Sequence, residues 1–160
     1  MAIEHFFVRH GDYEHIYLTA EGHEQSERAA DELAAKELGE RVLLLSSSRE
    51  RALETAEHIS NRLGIPVLAS SRLNIAGNYP RVVEDLDDFL WDAVHETGVD
   101  YAEDTQIVAV AHAPLLAAIL GRDPYDTHGI EYGQVVPYRP GSWNPGYFSQ
   151  REFDRRFPAI

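Results

Sequence analysis

Three short stretches gather residues that bind and attack anions. Arg9-His10-Gly11-Asp12 follows the apolar run "FFV", Ser46-Ser47-Ser48-Arg49-Glu50-Arg51 follows "VLLL", and His112-Ala113-Pro114 follows "IVAVA". Arginine and histidine are costly to bury without partners. Apolar segments that run straight into them either punctuate strand ends or hold an anion there. A phosphoryl group suits these residues, because its oxygens match the forked donors of Arg9 and Arg51. Arg51 also falls in the first turn of an expected helix, where free N–H groups and the dipole favour an anion. A neutral imidazole attacks phosphorus through one ring nitrogen while an acceptor holds the other. His10 is the candidate for that role. The arginines and His112 would stabilise charge on the equatorial oxygens during transfer and lower the pKa of His10. Gly11 permits a backbone turn that a Cβ would obstruct. Each junction alone has an ordinary reading, such as an Arg-His pair at a strand end or a histidine satisfied under a helix start. Three of them, each at the same end of a strand, favour the chemical reading.

The chemistry requires parallel strands that end on one rim, since ligands of open α/β sheets bind beyond the C-terminal strand ends. Strands are expected at Ile3 to Val8, Arg41 to Leu45, Pro66 to Ala69, Gln106 to Ala111 and about Tyr132 to Tyr138. "VLLL" and "IVAVA" are continuous apolar runs, as strands covered on both faces are. Helices are expected over Ala20 to Leu38, capped by Thr19 and ended by Gly39, and over Arg49 to Leu63, capped by Ser48 and ended by Gly64. A third begins near Pro80, with Val83, Leu86, Leu90 and Val94 on one face, and stops at Gly98; a fourth runs from Pro114 to Gly121. The alternation predicts a three-layer α/β/α domain with a mainly parallel central sheet.

A chain of 160 residues is expected to form one domain, residues 1–160, with an irregular Pro-, Gly- and aromatic-rich tail from about 139. With 27 acidic against 14 basic residues, the formal charge is −13. That field repels nucleic acid and anionic membranes, so an anionic substrate needs a local positive pocket. The absence of cysteine removes thiolate nucleophiles, disulfides and zinc–sulfur sites. No stretch approaches the roughly 18 apolar residues of a membrane span, and the start lacks the pattern of a signal peptide. A cytoplasmic protein is the expectation.

These residues match a known family. "VRHGD" resembles the Arg-His-Gly signature of the histidine phosphatase (phosphoglycerate mutase-like) superfamily. "LTAEGHEQ" is similar to its Leu-Thr-x-x-Gly-x-x-Gln segment, "SSSRERALETA" to its Ser-x-x-x-Arg-Ala-x-x-Thr-Ala block, and "VAVAHAP" to its Val-x-x-His-x-Pro. The resemblance spans residues 3 to about 120. It implies a phosphoglycerate mutase-like fold, His10 as a nucleophile that becomes phosphorylated, and Arg9, Arg51 and His112 as the phosphate pocket, with no metal or other cofactor. The small size, the short link from "RHGD" to "LT" and the His-x-Pro look most like the SixA-type phosphohistidine phosphatases.

Departures from the family pattern narrow the chemistry. Mutases and many sugar-phosphate phosphatases carry Asn and Arg in the loop after Arg-His-Gly, and "DYEHIY" has neither. They also carry a Glu general acid in a Glu-x-x-x-Gly context, where this chain has Asn74. The acid is thus unassigned, with Asp12 and Glu14 the nearest candidates. Phosphohistidine loses neutral imidazole once solvent protonates its other ring nitrogen. An alkyl phosphate must expel an alkoxide, for which a positioned acid is worth about 10²–10⁴-fold. The expected substrate is therefore a phosphohistidine protein or another activated phosphate. The alternatives are a phosphatase for small phosphorylated metabolites that uses an unrecognised carboxylate, or a phosphate-binding module without turnover. The oligomeric state has no signal in the sequence.

Of the other histidines, His15, His23, His58, His95 and His128 lack metal-ligand spacing. His15 reads as an exposed loop residue beside the pocket, His23 as a surface residue, and His128 as a candidate for the pocket's border. Trp143 and Tyr147 read as packing residues, and Arg151, Arg155 and Arg156 as offsets to the acidic surface.

Overall fold

The apolar runs ahead of the three junctions form adjacent strands. The computed structural model describes residues 3–74, 85–122 and 125–143. In chain order the elements are β1 (His5–Arg9), β2 (Tyr13–Glu14), β3 (Tyr17–Leu18), α1 (Ala20–Ala34), β4 (Val42–Ser46), α2 (Glu50–Leu63) and β5 (Val67–Ala69). A 3₁₀ turn (Ser71–Asn74), α3 (Leu86–Glu96), β6 (Gln106–Ala111), α4 (Ala113–Ile119) and β7 (Val135–Tyr138) follow. The central sheet has five strands in the order β5-β4-β6-β1-β7. The first four run parallel, and β7 pairs antiparallel with β1. Arg9 is in register with Ala111 and Ser46 with Val110, so the ends of β1, β4 and β6 stand side by side.

Strand side chains alternate between two covered faces. Phe6, Val8, Leu44, Val108 and Val110 pack with Leu33 of α1 and Ala52, Ala56 and Ile59 of α2. Phe7, Leu45, Ile107 and Ala109 pack with Leu86 and Leu90 of α3 and Leu115 and Leu116 of α4. The three-layer, mainly parallel α/β fold expected from the sequence is the fold observed. Phe7 is fully buried two residues before Arg9; removing such a ring costs ~3–5 kcal/mol. The loop after β1 therefore hangs from a fully buried part of the sheet.

Element ends differ from expectation for local reasons. α1 stops at Ala34, before Gly39, because Lys36 N–H turns back to the Leu33 carbonyl at 3.1 Å and Gly39 N–H donates to the Gln106 side chain at 2.8 Å. Ser48 does not cap α2; Arg49 is the N-cap residue, without a side-chain cap, and Ser48 Oγ accepts from Asn74 instead. α3 opens at Asp85, whose side chain accepts from Asp88 N–H at 3.0 Å; Pro80 and Val83 lie outside the described residues. α4 starts one residue before Pro114. β7 begins only at Val135, because Gly133 has a φ of 77° and donates its N–H to the Arg9 carbonyl. The β2–β3 hairpin was not anticipated, since each of its strands has only two residues. Trp143 packs as expected, its indole N–H donating to the Ala118 carbonyl at 2.7 Å. Tyr147, Arg151, Arg155 and Arg156 lie outside the described residues.

Candidate active site

The loop after β1 is pressed against the start of α1, and glycines make that possible. A Cβ on Gly11 would collide with the Gly22 carbonyl, and a Cβ on Gly22 would collide with the Asp12 carbonyl. Gly11 is thus required for close approach, not for a left-handed backbone. Gly11 N–H donates to Thr55 Oγ1 at 3.0 Å, Ser26 Oγ meets Thr55 Oγ1 at 3.1 Å, and Thr55 Oγ1 donates to the Arg51 carbonyl at 2.9 Å. This buried network joins the "RHG" loop, α1 and the turn that carries Arg51.

His10 is 4% exposed, and its Nδ1 lies 2.9 Å from the Gly11 carbonyl. A carbonyl only accepts, so Nδ1 carries the hydrogen and Nε2 keeps its lone pair. Burial lowers the His10 pKa to about 4; the Gly11 carbonyl opposes that shift, and Arg51 and Arg9 add to it. His112 sits with its ring centroid 5.1 Å from that of His10. Its pKa falls to about 3, first through burial, then through His10, Arg51, Arg49 and Arg9. Both rings are neutral near pH 7.

Arg9 and Arg51 are held by aromatic faces. The Arg9 guanidinium lies 4.0 Å from the Tyr132 ring centroid and donates to the Ile130 carbonyl; Arg51 lies 4.5 Å from the Tyr13 ring. Burial lowers the pKa of Arg9, with Tyr132 and Tyr13 acting against it. Among the described residues neither arginine has a carboxylate within ion-pair distance, although the chain carries 27 acidic residues. Their Nε atoms are buried without a partner. Both arginines also line a cavity, where a guanidinium without a carboxylate partner can meet an incoming anion.

The four residues singled out at the strand ends, Arg9, His10, Arg51 and His112, line one cavity of about 410 Å³. Arg49, Asn74, Tyr13 and Thr127 line it as well. A larger cavity of about 640 Å³ lies where β1 begins, walled by His5, Trp91 and Tyr101; Arg139 on its wall is accompanied by Glu103. Among the described residues the smaller cavity has three arginines and no carboxylate on its wall, a lining suited to an anion.

Neither general-acid candidate reaches that cavity. Asp12 Oδ2 accepts from the Thr19 hydroxyl at 2.9 Å, which ties the carboxylate to the cap of α1. Glu14 is exposed on β2. His15 is exposed at the hairpin tip with a φ of 59°. His23 is on the surface, its Nδ1 2.9 Å from His58 Nε2. Thr127, and not the exposed His128, borders the cavity. Sequence reasoning left four contributors without a role: Tyr13, Tyr132, Ser47 and Arg49. Arg49 and Ser47 were visible in the second junction; Tyr132 arrives from a turn whose position depends on β7.

Residues 3–74 match the model of the histidine phosphatase superfamily (branch 1). No curated protein sequence matches the chain. Solved structures share its fold. Mycobacterial glucosyl-3-phosphoglycerate phosphatase is 21% identical, over 86% of this chain and 90% of its own, with a TM-score of 0.58. A protein assigned as the phosphohistidine phosphatase SixA of Agrobacterium tumefaciens is 18% identical, over 86% and 91%, with a TM-score of 0.57. A variant of Entamoeba histolytica phosphoserine phosphatase, in complex with phosphoserine, is 15% identical, over 84% and 89%, also at 0.57. The fold is therefore the phosphoglycerate mutase-like α/β class. The match to the histidine phosphatase superfamily covers the part of the chain that carries Arg9, His10 and Arg51.

Proposed function

We propose that the chain is a phosphatase that works through a phosphohistidine intermediate on His10 and acts on phosphohistidine-bearing protein or another activated phosphate. The observation that carries this reading is the Nδ1–H bond of His10 to Gly11, which leaves the Nε2 lone pair in a cavity with three arginines. Arg9, Arg51 and His112 hold the phosphoryl oxygens. Nε2 attacks phosphorus, a P–N bond forms, and the bond from phosphorus to the leaving group breaks with its electron pair. Water then attacks the phosphorus, the P–N bond breaks, and inorganic phosphate departs from a restored neutral His10. The leaving group takes its proton from solvent, which suits imidazole better than an alkoxide. Asn74 on the cavity wall, where a carboxylic acid would stand, supports that preference.

A substrate panel tests the reading. Phosphohistidine protein or peptide should be hydrolysed with a far higher kcat/KM than phosphoserine or a sugar phosphate. Efficient turnover of a simple sugar phosphate with no activity on phosphohistidine would overturn the substrate assignment and leave a metabolite phosphatase.

A further inference from the structure

Asn74 ends the 3₁₀ turn after β5, and its side chain reaches the junction after β4. Its Oδ1 accepts from the Ser48 backbone N–H at 2.9 Å, and its Nδ2 donates to Ser48 Oγ at 2.8 Å. A backbone N–H can only donate, so this contact fixes which end of the amide is oxygen. The same Oδ1 lies 2.6 Å from Ser47 Oγ. Two oxygens at that distance share a hydrogen, and the amide oxygen has none to give. The Ser47 hydroxyl proton therefore points at Asn74. Ser47 Oγ also accepts from Arg49 N–H at 3.2 Å and stands 2.8 Å from His112 Nε2. With its single proton committed, Ser47 meets the histidine only as an acceptor, so Nε2 of His112 carries the hydrogen.

We propose that Asn74, acting through Ser47, is a positioning residue that holds neutral His112 as its Nε2–H tautomer beside His10. The two rings then carry their protons on opposite nitrogens: His10 keeps its Nε2 lone pair, and His112 carries an N–H at the same ring position, held by Ser47 Oγ. His112 thereby stands beside His10 as a neutral, fixed ring with no lone pair at Nε2, and not as a second nucleophile there. Among the described residues the groups that act on its ring are His10, Arg51, Arg49 and Arg9, none of them a carboxylate. Ser47 is fully buried, which shields the relay from water. The amide at position 74 also matters for its charge. A carboxylate there would accept the Ser47 proton equally well but would draw a second proton onto the ring. The role in catalysis rests on the proposed phosphatase reading, whereas the tautomer rests on the hydrogen bonds alone.

Long-range ¹⁵N–¹H correlation spectra of the histidine rings test the relay in the full chain, with His112 assigned from its loss in His112→Gln. Near pH 7 the wild type should show His112 protonated at Nε2 and bare at Nδ1. In Asn74→Ala the freed Ser47 proton can turn to the ring, and the pattern should shift towards the Nδ1–H form. kcat should fall about tenfold, the order of one lost hydrogen bond, with KM little changed. Asn74→Asp should keep the Nε2 proton and raise the pKa of His112. A wild-type spectrum with the proton on Nδ1 overturns the proposal whether or not the variants fold, and an unchanged spectrum in a folded Asn74→Ala overturns the part given to Asn74. The expected spectra in a chain that hydrolyses no phosphate would support the relay and count against the function alone.

Discussion

His10 and His112 stand 5.1 Å apart and are buried to similar degrees, 4% and 8% exposed, yet the chain holds them by different means. His10 is fixed by the carbonyl of the next residue, within a loop pinned by two glycines in backbone contact. His112 is fixed by a side chain from the end of β4, itself oriented by a side chain from the turn after β5. One device is local in sequence; the other spans three segments. The difference shows which parts of a site a single sequence can disclose, and it ranks the ways the site can be broken.

The largest loss belongs to the local device. His10→Ala should lower turnover by on the order of 10⁴-fold or more, as removal of a covalent nucleophile does, while phosphate binding to the arginines stays measurable by calorimetry. Next come the arginines: Arg51→Lys or Arg9→Lys keeps the charge but loses the fork and the aromatic stacking, and kcat should fall about 10²–10³-fold. Gly11→Ala follows. The added Cβ must push against the Gly22 carbonyl, which displaces His10 and should cost about 10² in kcat, together with ~1–3 kcal/mol of stability in a denaturant melt.

The smallest effects are those of pH. His10, lowered to about 4, should keep its attacking lone pair well into the acid range. The acid limb of kcat/KM, corrected for ionisation of the substrate, should bend near 4 and not near 6.5. Stability follows from the same shifts. His5 and His10 are lowered to about 4 and His112 to about 3, in each case mainly by burial, from an ordinary value of 6.5. Between those limits the unfolded chain binds more protons than the folded one, so stability falls as pH drops from 6.5 towards 4 and levels off below about 3. A melting series across that window should show the decline, and a melting temperature that stays flat would contradict the neutral, buried state of these rings.

What was legible in the sequence follows the same division between near and far. The strands, the parallel sheet and the rim bearing Arg9, His10, Arg51 and His112 could be read because each polar group directly follows an apolar run of its own strand or opens the next helix. The purpose of Gly11 was only half visible, since its constraint comes from Gly22, eleven residues on and packed against it. Tyr132 and Ile130, which hold Arg9, lie beyond the last recognisable motif and reach it only because β7 runs antiparallel along β1. Asn74 could be read only as a missing acid, because nothing in the sequence places it 2.6 Å from Ser47. Asp12 was a natural candidate acid by proximity to His10, but the cap of α1 claims its carboxylate.

The most direct test of the account is where phosphate goes during turnover. Rapid-quench labelling at alkaline quench pH, with mapping of the modified residue and of the ring atom, should find phosphate on His10 and on Nε2, the nitrogen that the Gly11 carbonyl leaves unprotonated. Phosphate attached at Nδ1, or steady turnover with no label on His10, would contradict it.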